Sequence, residues 1–244
     1  SGWHGALPKK RPVRRRSACR RKLPDRLRGQ AQDQPLPAAP RARTALAWAP
    51  PDDLPIYVAD QDLMDTVVGF PIHRGLLGLG RRAPSPPLAD LLKGRPRVVV
   101  GLVGIANHDN MGGIFRNAAA FGAGAVVLDA TSCDPLYRKA IRVSVGGVLN
   151  VPFTRLDSNA GVAAALTGLG YRVLALSPRG AMRLHEVPTD RPVALLLGTE
   201  GPGLPDAEMA HAETVRIDMA GGFDSLNVAT TSGIALYELT RRMT

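Results

Sequence analysis

Val98–Ile105 and Pro192–Gly198 are apolar runs of strand length, with no polar residue alternating inside them. A strand of that kind must be buried on both faces, which happens in sheets covered by helices on each side. Segments with helical spacing do separate such runs along this chain. After Val98–Ile105 the order reads helix Met111–Phe121, strand Ala125–Asp129, helix Leu136–Val148 and strand Val151–Leu156. A helix near Ala160–Leu169 follows, then strands Arg172–Ser177 and Val193–Gly198, helix Pro205–His211, strand Thr214–Met219 and a last helix from about Ser225. This alternation predicts an α/β domain on a parallel sheet over residues 95–244. Ligands of such sheets bind beyond the carboxyl ends of the strands. The polar, Gly-rich segments that follow the strands are therefore the candidate site.

Upstream the text is less regular. Leu54–Asp60 reads as a short strand, Leu63–Val68 as a short helix or turn, and Gly75–Gly80 as another strand. The segment Arg81–Pro87, with Pro84-Ser-Pro-Pro87, is the best boundary, so residues 51–87 form a small front region with its linker. Residues 1–50 are a separate matter. They hold 13 Lys/Arg against 2 Asp/Glu, while residues 51–244 hold 18 against 19. The formal charge of +10 thus belongs to a leader, and the body is near neutral. Three readings of this Arg/Pro-rich leader stand side by side: an RNA-binding arm, a solvated tail, or text read from a shifted frame of a GC-rich gene. No function is rested on it.

Composition narrows the class further. A hydrophobic content of 45% suits a folded domain. No apolar run approaches the ~18 residues of a membrane span, and the basic leader lacks the apolar core of a secretory signal. Cys19 and Cys133 form no Cys-x-x-Cys pair, which points to a reducing, cytoplasmic setting. The five histidines have no ligand spacing, so no metal site is expected.

Three loops carry the chemical signal. The first, Asn107–Asn117, follows the first buried strand; Asn107, Asp109 or Asn110 can cap the next helix. On that helix Ile114, Ala118 and Phe121 share a face, with Arg116 pointing roughly away and Asn117 on a flank. The spacing fits a capped helix with a solvated Arg equally well as a guanidinium placed for a phosphate or a developing alkoxide. The second loop, Leu195–Leu204, ends a strand with Gly198-Thr199-Glu200-Gly201-Pro-Gly203. It is neither a dinucleotide fingerprint nor a phosphate-binding P-loop, which argues against a nucleotide-dependent oxidoreductase. The third runs from Ile217 to Gly233, where Ser225 can cap the last helix and Asn227 can face a pocket. Ala229 and Gly233, one turn apart, allow that helix to pack tightly.

In this order the three loops resemble the motifs of the SpoU/TrmH family of RNA ribose methyltransferases, in the SPOUT superfamily. Asn110, Gly112 and Arg116-Asn117 match the first motif, Gly198-Thr199-Glu200-Gly201 the second, and Ile217-Asp218-Met219-Ala220-Gly221 with Ser225-Leu226-Asn227-Val228 the third. Asp218 departs from the family pattern, which usually has Pro there. The resemblance covers about residues 96–242, and His73-Arg-Gly75 resembles the end of the family's N-terminal substrate-binding domain.

The resemblance implies a parallel α/β sheet with a C-terminal deep trefoil knot, one of the rare exceptions to unknotted chains, preceded here by an incomplete small α/β N-terminal region. It implies S-adenosyl-L-methionine as cofactor, held by Leu196, Gly198, Thr199, Glu200, Gly201, Ile217, Met219, Ser225, Leu226 and Asn227. It also implies methyl transfer to a ribose 2′-hydroxyl of tRNA or rRNA, and a homodimer formed through the knotted domain, with neither metal nor membrane. Arg116 would serve the acceptor side, with Asn110, Glu200, Ser225 and Asn227 orienting ribose, loop and cofactor. The alternative is a non-catalytic RNA-binding or ribosome-assembly protein that keeps the fold.

Overall fold

The computed structural model describes residues 57, 59–72, 77–157, 161–199, 201–221 and 225–243. The leader, the His73-Arg-Gly75 resemblance and Glu200 lie outside these residues, as does most of the expected strand Leu54–Asp60. The chain divides into two units between Arg82 and Ala83.

In the first unit the described element is α1 (Gln61–Val68). The Asp60 carboxylate caps it by accepting from the Leu63 N–H at 2.8 Å, and Gly69, at φ +85°, ends it. The expected strand Gly75–Gly80 is not seen: residues 77–80 have no ladder partner, and Leu79 is fully exposed. An apolar text without a partner strand has nothing to pair with.

The second unit begins with α2 (Leu88–Leu91) and contains the parallel sheet. Its strands are β1 (Val98–Leu102), β2 (Val126–Leu128), β3 (Phe153–Arg155), β4 (Arg172–Leu176), β5 (Met182–Arg183), β6 (Val193–Leu197) and β7 (Glu213–Arg216). They lie in the order β3-β2-β1-β6-β4-β7-β5, and every pairing is parallel. The central pair β1 and β6 is buried along its whole length, as its apolar text requires.

Alternation along these strands fills two separate layers. Val98, Val100, Leu102, Leu195 and Leu197 face α3 (His108–Ala120) and α8 (Val228–Arg241), meeting Met111, Ile114, Leu236 and Leu239. Val99, Val103, Ala194 and Leu196 face the opposite layer, meeting Val162 and Leu166 of α6 (Val162–Gly168). Gly101 is where the second layer comes closest: a Cβ there would sit 2.8 Å from Leu196 Cδ1 and 2.9 Å from Val162 Cγ1.

Several boundaries depart from the sequence expectations. The single helix expected over Leu136–Val148 is two, α4 (Arg138–Val143) and α5 (Gly147–Asn150), broken where Val145 and Gly146 take φ of +53° and +82°. Two consecutive positive φ angles cannot be part of a right-handed helix. The strand expected over Thr214–Met219 stops at Arg216, so Ile217–Met219 leaves the sheet. The last helix begins at Val228, and Asn227 rather than Ser225 caps it. At the other end of the unit, Asn107 caps α3 by accepting from the Asp109 N–H at 2.8 Å.

Two carboxylates far apart in sequence hold loops of this unit. Glu208, on α7 (Asp206–Met209), is buried and accepts the N–H groups of Val162 at 2.9 Å and Ala163 at 2.7 Å. It thereby caps α6, whose own N-cap residue Gly161 has no side chain. Asp129 follows β2. Burial raises its pKa, but hydrogen bonds from Ser132, Thr131 and the Gly104 N–H outweigh that and hold the carboxyl below its ordinary value. Arg155 closes the same loop from β3, donating to the carbonyls of Asp129 and Ser132, each at 2.7 Å.

Glu208→Ala is expected to destabilise the domain by about 1–2 kcal/mol in urea unfolding. Glu208→Gln, which keeps one acceptor oxygen, should lose less. Wild-type stability in Glu208→Ala would show that the cap contributes nothing. Because the Asp129 pKa is lowered on folding, its contribution is present above the ordinary carboxylate pKa of about 3.9 and is lost as pH falls through the lowered value. Asp129→Asn should therefore narrow its stability deficit to wild type as the pH of the melt is taken from 7 towards 3. A deficit that stays constant with pH would contradict this.

Candidate active site

A cavity of about 450 Å³ opens at the carboxyl ends of β4, β6 and β7. Leu176, Ser177 and Pro178 form the wall that follows β4. The wall following β6 is Leu197, Gly198, Thr199, Gly201, Gly203 and Leu204. Ile217 and Met219 follow β7, and Ser225–Val228 with Thr231 close the remaining side from the start of α8. The lining is mostly apolar, and no Lys, Arg or His is among these described residues.

The β6 loop is shaped by its glycines. Thr199 and Gly203 form an antiparallel bridge that folds the loop back on itself. Gly201 and Gly203 take φ of +90° and +75°, the left-handed region open to glycine at little cost. A Cβ on Gly198 would lie 2.8 Å from both Gly203 C and Leu204 N, so the returning backbone excludes any side chain there. Gly104, at the end of the first buried run, backs this loop: a Cβ on it would sit 3.5 Å from Thr199 Cβ.

The first loop is joined to the cavity by a hydrogen bond between Asn110 and Asn227. Asn227 accepts from the Ala229 N–H at 2.9 Å and the Thr230 N–H at 3.2 Å as cap of α8. Its amide nitrogen donates to Asn110 Oδ1 at 2.9 Å. Asn110 is buried in the first turn of α3. Asn117, two turns on, donates to Ala229 O at 2.7 Å and Ser232 Oγ at 2.9 Å.

Most of the residues singled out from the sequence thus come together. Gly198, Thr199, Gly201, Ile217, Met219, Ser225, Leu226 and Asn227 line the cavity, and Asn110 is bonded to it. Leu196 does not line it. Side chains alternate along a strand, and Leu196 points into the α6 layer while Leu197 faces the cavity. Arg116 is not on the lining either. It is exposed on α3, and among the described residues its guanidinium makes no hydrogen bond or ion pair. Its backbone packs on α5: a Cβ on Gly147 would lie 3.3 Å from Arg116 Cα.

The wall after β4 carries no motif of its own. Leu176-Ser-Pro178 has the form of any strand end followed by a turn, and only the placement of β4 beside β6 brings it to the cavity. Asp218 does have partners: Arg216 Nε at 3.4 Å and Arg183 Nε at 3.5 Å. Among the described residues there is no cluster of three or more His, Cys, Asp or Glu able to hold a metal, and no helix long and apolar enough to cross a membrane.

The chain is 45% identical over 193 residues to an uncharacterized tRNA/rRNA methyltransferase of Mycobacterium bovis, covering 77% of this chain and 66% of that protein. The present chain therefore spans just under two thirds of the length of that relative. It is 30% identical over 207 residues to a 23S rRNA (guanosine-2'-O-)-methyltransferase RlmB of Burkholderia sp, covering 83% of each. Among solved structures it is similar to the SpoU methyltransferase AviRb from Streptomyces viridochromogenes in complex with the cofactor AdoMet. The TM-score is 0.60 at 26% identity, over 65% of each chain. The model of the SpoU rRNA Methylase family matches residues 97–237, a span that includes all three loops at the cavity. The chain belongs to the SpoU rRNA methylase family.

Proposed function

We propose that this chain is an S-adenosylmethionine-dependent RNA methyltransferase acting on a ribose 2′-hydroxyl of rRNA or tRNA. The observation that carries the reading is the convergence of the three loops: the second and third line one cavity, and the Asn227–Asn110 hydrogen bond joins the first to them. The named activities of the relatives support the same class of reaction.

The cavity suits the cofactor on its own chemistry. Leu197, Ile217, Met219 and Leu226 give an apolar slot for an adenine ring, and the open backbone at Gly201 leaves room for close approach. A sulfonium is cationic, and the described lining holds no basic side chain to repel it. When bound, S-adenosylmethionine supplies an electrophilic methyl group for in-line attack by the ribose oxygen.

Arg116 serves the acceptor side. A guanidinium holds its protons too firmly to act readily as a base. The exposed Arg116 guanidinium is suited instead to stabilise the developing alkoxide or to hold a neighbouring phosphate. Asn110 and Asn227 fix the start of α8 against α3, and Ser225 and Glu200 orient the ribose and the cofactor loop. The same reading includes a trefoil knot in the C-terminal part of residues 95–244 and a homodimer formed through it. It also takes residues 51–87 as the remnant of a substrate-binding domain and the cytoplasm as the place of action.

Isothermal titration should give one S-adenosylmethionine per chain, and labelled methyl should appear on ribose in rRNA or tRNA. Arg116→Ala is expected to cut the methyl-transfer rate by about 10²–10³ while cofactor affinity stays within about twofold, because Arg116 does not line the cavity. Full methyl transfer by Arg116→Ala would overturn its role. Binding of RNA by a wild-type chain that takes up no cofactor would favour the non-catalytic reading.

A further inference from the structure

Two of the cavity walls are tied together from behind by one side chain. Arg216, the last residue of β7, donates from Nη1 to Gly180 O at 2.8 Å and to Ala181 O at 3.3 Å. These carbonyls belong to the segment that continues the β4 wall of Ser177 and Pro178. From Nε the same guanidinium donates to Asp218 Oδ1 at 3.4 Å. Asp218 lies between Ile217 and Met219, which form the β7 wall. Its second oxygen faces Arg183 Nε on β5 at 3.5 Å.

The backbone reinforces this arrangement. The Ser177 N–H donates to Val215 O at 2.9 Å, and the Ala181 N–H to Thr214 Oγ1 at 3.1 Å. A Cβ on Gly180 would lie 2.6 Å from Arg216 N, so the turn rests directly on β7 and only glycine fits there. Arg216 has five donors in a fixed fork, which lets one side chain hold both carbonyls and a carboxylate.

We propose that Arg216 is a positioning residue that holds the β4 and β7 walls at the spacing needed by the cofactor, with Asp218 and Arg183 completing the tie. The inference rests on the reading of the cavity as the S-adenosylmethionine site. None of the three side chains lines the cavity, so each acts through the walls. Ile217 and Met219 lie beyond the last ladder pair of β7, and without the tie their ordering would be charged to binding. The Asp218 pairs are half exposed and therefore open to screening by salt.

The test is titration of S-adenosylmethionine into wild type, Arg216→Ala, Arg216→Lys and Asp218→Asn, each at low and at high salt, with melting temperatures measured alongside. Arg216→Ala should weaken binding about tenfold, and Arg216→Lys should recover part of that, since a single ammonium cannot hold all three acceptors. Asp218→Asn should weaken binding about threefold at low salt and match wild type at high salt. If Arg216→Ala fails to fold, Asp218→Asn decides the matter alone through its salt dependence. Variants whose melting temperature falls while affinity stays within twofold of wild type would overturn the proposal. Absence of binding by wild type itself would instead overturn the reading of the cavity, and the tie with it.

Discussion

Gly113 and Ala229 bring α3 and α8 so close that a Cβ on Gly113 would lie 2.7 Å from Ala229 Cβ. At that separation Asn117 can reach Ala229 O and Ser232 Oγ, and Asn227 can reach Asn110. Ser232 is fully buried, and in that setting an unmet polar group costs about 1–3 kcal/mol. The amides therefore select one register between the two helices. Position along that register decides where Asn227 sits, and Asn227 sets both the start of α8 and one side of the cavity. A larger residue at position 113 or 229 would separate the helices and dissolve these contacts together.

The sheet supplies the other half of the site. With β6 between β1 and β4, and β7 next to β4, three strand ends open into one space. Parallel pairing puts all their carboxyl ends on the same edge, so each following loop faces the others. The loops are then stiffened by unlike means. Glycines fold the β6 loop, and Arg216 ties the β4 and β7 loops. Glycine conformations and hydrogen bonds to charged groups are costly to rearrange, which suits walls that must keep a fixed spacing.

The sheet was legible because burial on both faces leaves a distinctive text: Val98–Leu102 and Val193–Leu197 are apolar without alternation and become the two central strands. Edge elements were less legible. β5 has two residues, too few for any period, and Val145 takes a positive φ that its β-branched side chain does not announce. Leu196 and Leu197 are the same residue type in adjacent places, and which of them meets the cavity depends on the strand's rotation in the sheet. The pairing Asn110–Asn227 spans 117 positions, a separation over which no local pattern operates.

Sequence alone determined that the chain holds a parallel α/β domain, where its polar loops fall, and which family those loops resemble. It could do so because apolar periodicity and motif order are local properties of the text. Tertiary structure decided that the loops form one cavity, that Leu176–Pro178 joins it, that Arg116 stands off its lining, and that Arg216 bridges two walls from behind. Each of these depends on strand order and helix register, which arise from contacts between residues far apart in the chain.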